Sequence, residues 1–287
     1  MTQKEPKNIA LIDCPRDAMQ GIKPFIPTEL KVRFIQSLLE IGFHTLDCGS
    51  FVSPRAIPQM KDTGAVIDQL DLEGITTKLL VIIANYRGAK DAVQYDKISY
   101  LGFPFSISET FQLRNTNATR EEAFDRIREI QDLVVEHNKQ LVVYFSMCFG
   151  NPYGDLWHPD IITYWARRFR DIGVKIISLS DTIGIGNPEI IGRTVTAMNK
   201  TFSDVHFGVH LHTRPDTWKE KVLAAYDHGC HRFDGALKGY GGCPMAQDEL
   251  VGNMPTENLI SFFNEKKMFN YRRSALNKAM DIAQEIY

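Results

Sequence analysis

The chain of 287 residues carries 33 Lys plus Arg against 35 Asp plus Glu, for a formal net charge of -2. Apolar residues make up 44% and charged residues 24%, the balance of a globular protein with a substantial core. There is no long basic block and no apolar run of the roughly 18 residues a membrane helix needs, so neither nucleic acid nor a membrane is an expected partner.

Short β-rich runs alternate with helical patterns along the chain. "NIALIDC" reads as a strand, and "TELKVRFIQSLLEIG" as a helix with Leu30, Phe34, Leu38 and Ile41 on one face. Thr28 is the expected N-cap of that helix and Gly42 its stop. "HTLDCGS" (strand) and "IPQMKDTGAVIDQL" (helix) follow, then "TKLLVIIAN" and "YRGAKDAVQYD", then "KISYLGFPF" and "TREEAFDRIREIQDLVVEHN", the last opened by Thr119. The same alternation continues through "LVVYFSMCFG" and "PDIITYWARRFRDIG", "VKIISLSD" and "PEIIGRTVTAMNKTF", "HFGVHLH" and "TWKEKVLAAYDHG", and "HRFDGAL" and "PTENLISFFNEKK". A further helix, "SALNKAMDIAQEI", comes last.

A weak repeat marks three junctions: "EIGFHTLD", "DIGVKIISLSD" and "DHGCHRFDG" each end a helix on Gly and run straight into a strand that closes on Asp. Strict βα alternation implies a parallel sheet, and eight units in this length fit a closed (β/α)8 TIM barrel with an extra C-terminal helix, one domain over residues 1–287. An open doubly wound sheet is the alternative. It usually carries a Gly-rich turn after its first strand, where this chain has "CPRDAMQG".

The charged opening "MTQKEPKNIA" lacks the apolar core of a signal peptide. The five cysteines, Cys14, Cys48, Cys148, Cys230 and Cys243, show no CxxC spacing. Both features predict a reducing, cytoplasmic setting.

In such a barrel the chemistry lies at the C-terminal ends of the strands. Polar residues gather there: Arg16 and Asp17 at the end of the first strand, Asp47 of the second, Asn85 of the third, Asp181 of the sixth, His210 and His212 of the seventh, Asp234 of the eighth. Each could instead cap its helix or bond a local turn, but so many in one layer predict a shared site. His210 and His212 sit at i and i+2, on one face of their strand, and neutral imidazoles are common metal ligands. Hydrogen-bonded packing is the competing reading of the pair. With Asp17 across the mouth, the His and oxygen donors suit Mg²⁺ or Mn²⁺, with zinc or iron(II) as alternatives. Cys243 sits on a Gly-rich loop, "KGYGGCPMAQDELVGNMPTE", where it is either a proton-transfer thiol or an ordinary loop cysteine. Asn253 reads by default as a helix N-cap.

These residues carry a family resemblance that covers nearly the whole chain. "PRDAMQ", "SFVSPRAIPQM", "SLSDTIGIGNP", "VHLH" and "GYGGCPMAQDELVGNMPTENL" resemble the motifs of the 3-hydroxy-3-methylglutaryl-CoA lyases. Those enzymes belong to the TIM-barrel metal-dependent lyases, with isopropylmalate and homocitrate synthases. The resemblance implies a divalent metal held by Asp17, His210, His212 and Asn253. It implies substrate contacts from Arg16, Gln20 and Asp47, proton handling by Asp181 and His210, and Cys243 as the catalytic loop thiol. It further implies an acyl-CoA substrate and a homodimer. The chain departs from the family in having Asp47 for Glu, "HLHTRPDTW" for H-x-H-D-T-x-G, Met245 for an aromatic, and "KGYGG" for a more apolar segment. A Claisen-type synthase of the same superfamily and a non-catalytic acyl-CoA-binding barrel are the alternative functions.

Overall fold

A computed structural model describes residues 9–242 and 251–287. Eight parallel strands alternate with helices. They are β1 (Ala10–Asp13), β2 (Thr45–Ser50), β3 (Lys78–Ile82), β4 (Ile98–Ser106), β5 (Gln140–Ser146), β6 (Ile176–Asp181), β7 (His206–Thr213) and β8 (Arg232–Gly235). Each pairs with its sequence neighbours, and β8 pairs back onto β1, so the sheet closes. This closure selects the (β/α)8 barrel over the open sheet. A ninth, two-residue strand, β9 (Gly252–Asn253), lies antiparallel on β7.

The helices are α1 (Pro15–Met19), α2 (Thr28–Leu39), α3 (Thr63–Gln69), α4 (Tyr86–Ala92), α5 (Glu109–Thr116), α6 (Arg120–Glu136), α7 (Pro159–Asp171), α8 (Pro188–Thr201), α9 (Trp218–Asp227), α10 (Thr256–Glu265) and α11 (Arg273–Ile286). Successive residues of a strand face opposite sides of the sheet. On β3, Leu79 and Val81 join the large core under the helices. Leu80 and Ile82 pack inside the barrel with Val142, Ile176, Tyr100 and Tyr144. A sheet covered on both faces needs near-continuous apolar strands, and β2 and β6 are buried at every position. The three repeat glycines, Gly42, Gly173 and Gly229, all take positive φ (102°, 91° and 90°), which explains why Gly ends each of those helices.

Four local expectations need correction. Arg16 and Asp17 do not end β1: Pro15, with φ preset for a first helical turn, diverts the chain into α1, which carries both. Thr28 is not the N-cap of α2. Pro27 holds that place, and the Thr28 hydroxyl donates sideways to Asp62 at 2.8 Å. The helix expected over 57–70 splits into a 3-10 turn at Pro58–Met60 and the short α3, because Asp62 leaves helical geometry. Asn85 belongs to no shared site: its side chain accepts from the Gly88 N–H at 2.9 Å and caps α4. Helix α5 and strand β9 were not visible in the apolar pattern. Thr119 caps α6 as expected, in a full capping box with Glu122.

Candidate active site and metal centre

The site is assembled from β7, β9, α1 and β2. The two histidines share a face of β7, their ring centroids 5.4 Å apart. Asp17 brings a carboxylate to them: one ligand atom each from Asp17, His210 and His212 lie within 4.8 Å of one another. Asn253 reaches the same point because it is the register partner of His212 in the antiparallel β7–β9 pair, which sets the two side chains side by side. The Asn253 amide donates to Asp17 Oδ2 at 2.6 Å and to the Tyr240 carbonyl at 2.9 Å. Asn253 is therefore not a helix cap, and Pro255 stands at that place on α10. Gly241 backs the cluster. A Cβ there would lie 2.8 Å from both Asn253 Nδ2 and the Asp17 carbonyl oxygen, and its φ is +90°.

Arg16 forms the other half. Its Nε donates to both Asp47 oxygens at 3.1–3.2 Å and its Nη2 to Asp47 Oδ2 at 2.5 Å. Its Nη1 donates to Asp17 at 3.1 Å and to Gln20 at 2.9 Å. Gln20 in turn donates to Asp17 at 2.7 Å. Asp47 is thus the carboxylate that fixes the guanidinium plane, and Gln20 braces the pair. One guanidinium N–H remains free of these bonds, since four of the five are used.

Burial opposes charge throughout this layer. It works against ionised Asp17, but Arg16, the histidines and the Asn253 amide outweigh it and hold the carboxyl below its usual range. Burial pushes Asp47 up to about 6 against the pull of Arg16. Burial, reinforced by His210, pushes His212 down to about 4, so its imidazole is neutral. For His210 burial is overcome by Asp234, which hydrogen-bonds the ring, and by Asp17, and the net shift is upward. His210 Nδ1 lies 3.3 Å from Asp234 Oδ2, and His212 is hydrogen-bonded to the Thr182 backbone. Each imidazole is therefore oriented through one nitrogen, the arrangement expected of metal-ligating histidines.

A divalent cation fits these residues. The Asn253 Oδ1 atom is buried with no hydrogen-bond partner among the described residues, on a side chain whose amide donates to the Asp17 carboxylate and which is the register partner of His212. An orphaned carbonyl oxygen in such company is what a hard or borderline cation would satisfy.

Asp181 sits elsewhere on the mouth. Its oxygens accept from Lys221 Nζ at 2.8 Å and from the Gly186 N–H at 3.0 Å, and it has no bond to His210. Cys243 and Met245 lie outside the described residues. The other four cysteines are free and buried. Lys23, Arg55 and Arg114 are exposed. Two partners went unrecognised in the sequence. Lys221 donates to Asp181, to Gly184 O and to His212 O, and its one signal was a lysine on the apolar stripe of α9. Asp234, noted only as a polar strand end, orients His210.

Fold and site together define a (β/α)8 barrel whose mouth carries a cluster of possible metal ligands, Asp17, His210 and His212, beside a clamped arginine. The HMGL-like family model matches residues 8–286, and the chain belongs to that family. It is 31% identical over 263 residues to the mitochondrial hydroxymethylglutaryl-CoA lyase of Mus musculus, covering 90% of this chain and 79% of that one. With the mitochondrial hydroxymethylglutaryl-CoA lyase of Arabidopsis thaliana it shares 32% over 261 residues; the match spans 90% of this chain and only 55% of the relative's length. Among solved structures, an HMG-CoA lyase from Acinetobacter baumannii in complex with coenzyme A and 3-methylmalate superposes with a TM-score of 0.89 at 29% identity, covering 97% of this chain and 91% of that one.

Proposed function

We propose that this protein is a metal-dependent carbon–carbon lyase that cleaves 3-hydroxy-3-methylglutaryl-CoA, or a close 3-hydroxyacyl-CoA, to acetyl-CoA and acetoacetate. The observation that supports the reading is that one ligand atom each from Asp17, His210 and His212 lie together, with the Asn253 amide donating to Asp17 and Arg16 bonded to the same carboxylate. A cation held by Asp17, His210, His212 and Asn253, Mg²⁺ or Mn²⁺ by its donor set, would supply Lewis acidity to the hydroxyl and carboxylate oxygens of the substrate.

The chain's own residues do the rest. Arg16, held by Asp47 and Gln20, turns its free N–H toward the thioester oxygen, where negative charge grows as the carbon–carbon bond breaks. Its geometry is set before substrate arrives, so little reorganisation is needed at the moment of reaction. His210 takes part in proton handling through its Nδ1 contact with Asp234. Cys243, which follows β8 in the sequence, would donate a proton to the enolate carbon of acetyl-CoA. Asp181 acts in our reading through Lys221, which grips the His212 carbonyl, and so positions a ligand rather than moving the proton itself.

The unit proposed is one catalytic domain over residues 1–287, working as a homodimer in the cytoplasm. No helix among the described residues is long and apolar enough to cross a membrane. The decisive experiment is incubation of the Mg²⁺- or Mn²⁺-loaded protein with HMG-CoA and assay of acetoacetate. Metal-dependent acetoacetate is the expected result. Its absence, with free CoA released instead from acetyl-CoA plus a 2-oxo acid, would assign the condensing class. Tight acyl-CoA binding without turnover would make it a binding barrel.

A further inference from the structure

Beneath the mouth, the barrel interior holds a second set of ligand-type atoms. Cys14 Sγ, a His210 ring nitrogen and an Asp234 carboxylate oxygen lie within 4.8 Å of one another. Three adjacent strand positions bring them there. His210 on β7 is the register partner of Asp234 on β8, and the Cys14 N–H, just past β1, donates to the Gly235 carbonyl at 2.8 Å. Asp234 is only 2% exposed. Its Oδ2 accepts from Ser178 at 3.2 Å and faces His210 Nδ1 at 3.3 Å, while its Oδ1 has no partner among the described residues. The Tyr144 hydroxyl, on a ring packed edge-on against His210, is also buried and unpartnered. Leaving a buried carboxylate oxygen without a donor is costly, and this carboxylate stands beside a thiol and an imidazole.

The donor chemistry differs from that of the upper centre. Asp17, His210, His212 and Asn253 offer only oxygen and nitrogen. The inner set shares only His210 with it and adds a sulfur and one carboxylate. A thiolate selects Zn²⁺-like ions over Mg²⁺ or Mn²⁺. On binding, the Cys14 thiol passes its proton to solvent. The thiolate and the Asp234 carboxylate then balance the two charges of the ion, which suits a buried setting.

We propose that Cys14, Asp234 and His210 form an inner site for a thiophilic divalent cation, and that its occupation disables the upper centre by taking His210. A neutral imidazole has one lone pair to give. An ion in the inner site claims it and leaves the upper set with Asp17, His212 and Asn253. The inner site stands on its own atoms. The competition rests on the metal reading of the upper one.

The test is a Co²⁺ titration of the full-length protein and of Cys14→Ser, Cys14→Ala and Cys243→Ala, read by the near-ultraviolet thiolate-to-cobalt charge-transfer band. Mn²⁺ binding is followed in parallel by electron paramagnetic resonance. The unaltered protein and Cys243→Ala should develop the band. Both Cys14 variants should lack it while still binding Mn²⁺, which also reports that they are folded. Cd²⁺ should displace Mn²⁺ from the unaltered protein at a concentration at least about tenfold lower than from Cys14→Ser, the scale of effect seen when a metal site loses a supporting group. A band that is absent from the unaltered protein, that survives Cys14→Ser, or that disappears in Cys243→Ala would overturn the inner site. Equal Cd²⁺ displacement in both proteins would overturn the competition. A Cys14-dependent band in a protein that never binds Mn²⁺ would support the inner site and refute the upper one.

Discussion

Two buried ion pairs face each other across the barrel mouth, and they are spent differently. Lys221 and Asp181, with side chains 5% and 1% exposed, are consumed by the scaffold. Nζ meets three acceptors, Asp181, Gly184 O and His212 O, and an ammonium has only three donors to give. Arg16 is also buried, at 11%, yet one of its N–H groups has no bond within the Asp47–Asp17–Gln20 frame. The neighbouring Asn253 also keeps an oxygen without a partner among the described residues. Saturation marks a staple between β6 and β7, and residual capacity marks a place prepared for something else. The two pairs have similar chemistry and both are buried, so burial alone does not separate support from function.

The largest expected effect falls on the staple. Lys221→Met leaves Asp181 buried and uncompensated and should lower unfolding free energy by about 3–5 kcal/mol, measured by urea denaturation. Adding Asp181→Leu should restore most of that loss. If the single variant is as stable as the parent, the pair is not a staple. On the other side, Arg16→Lys should leave the melting temperature nearly unchanged and reduce kcat by roughly 10²–10³-fold, because an ammonium cannot hold two carboxylate oxygens and a substrate oxygen in one plane. Near-parental turnover would remove Arg16 from the proposed role.

Asn253→Ala sharpens the contrast further. Loss of the orphaned oxygen should weaken Mn²⁺ binding by about 10–100-fold in a calorimetric titration, with Asp17, His210 and His212 still in place. Unchanged affinity would mean that the amide serves only to hold Asp17. The smallest effect is expected far from the mouth. Thr119→Ala removes the capping hydroxyl of α6 and should cost about 1 kcal/mol of stability with no change in metal affinity or rate. A rate effect there would show that helix stability on the barrel's outer layer reaches the site.

Much of this architecture was legible in the chain. The strict βα alternation, the helix-ending glycines Gly42, Gly173 and Gly229, and the capping box at Thr119 are local signals, governed by backbone sterics and side chains a few residues apart. The i, i+2 spacing of His210 and His212 is local too, because the pleat alone places both rings on one face. Arg16, Asp17, Asp47 and Asn253 were singled out by residue type and motif. Their mutual roles were not, since what each side chain does depends on a partner far away in sequence.

Closure of the sheet through β8 and β1 brings Cys14, His210 and Asp234 into one cluster, and no periodicity encodes that meeting. The two-residue strand β9 is too short to leave a pattern, yet its pairing with β7 turns Asn253 from an apparent helix cap into a neighbour of His212. Lys221 went unrecognised in the sequence; packing against β6 and β7 buries it and gives it three acceptors. Sequence by itself determined the βα alternation and the residue types gathered at the strand ends, because those properties follow from short-range sterics and side-chain identity. Only the tertiary structure decided which carboxylate holds which cation, because buried polar groups take whatever partners the closed barrel places within hydrogen-bonding distance.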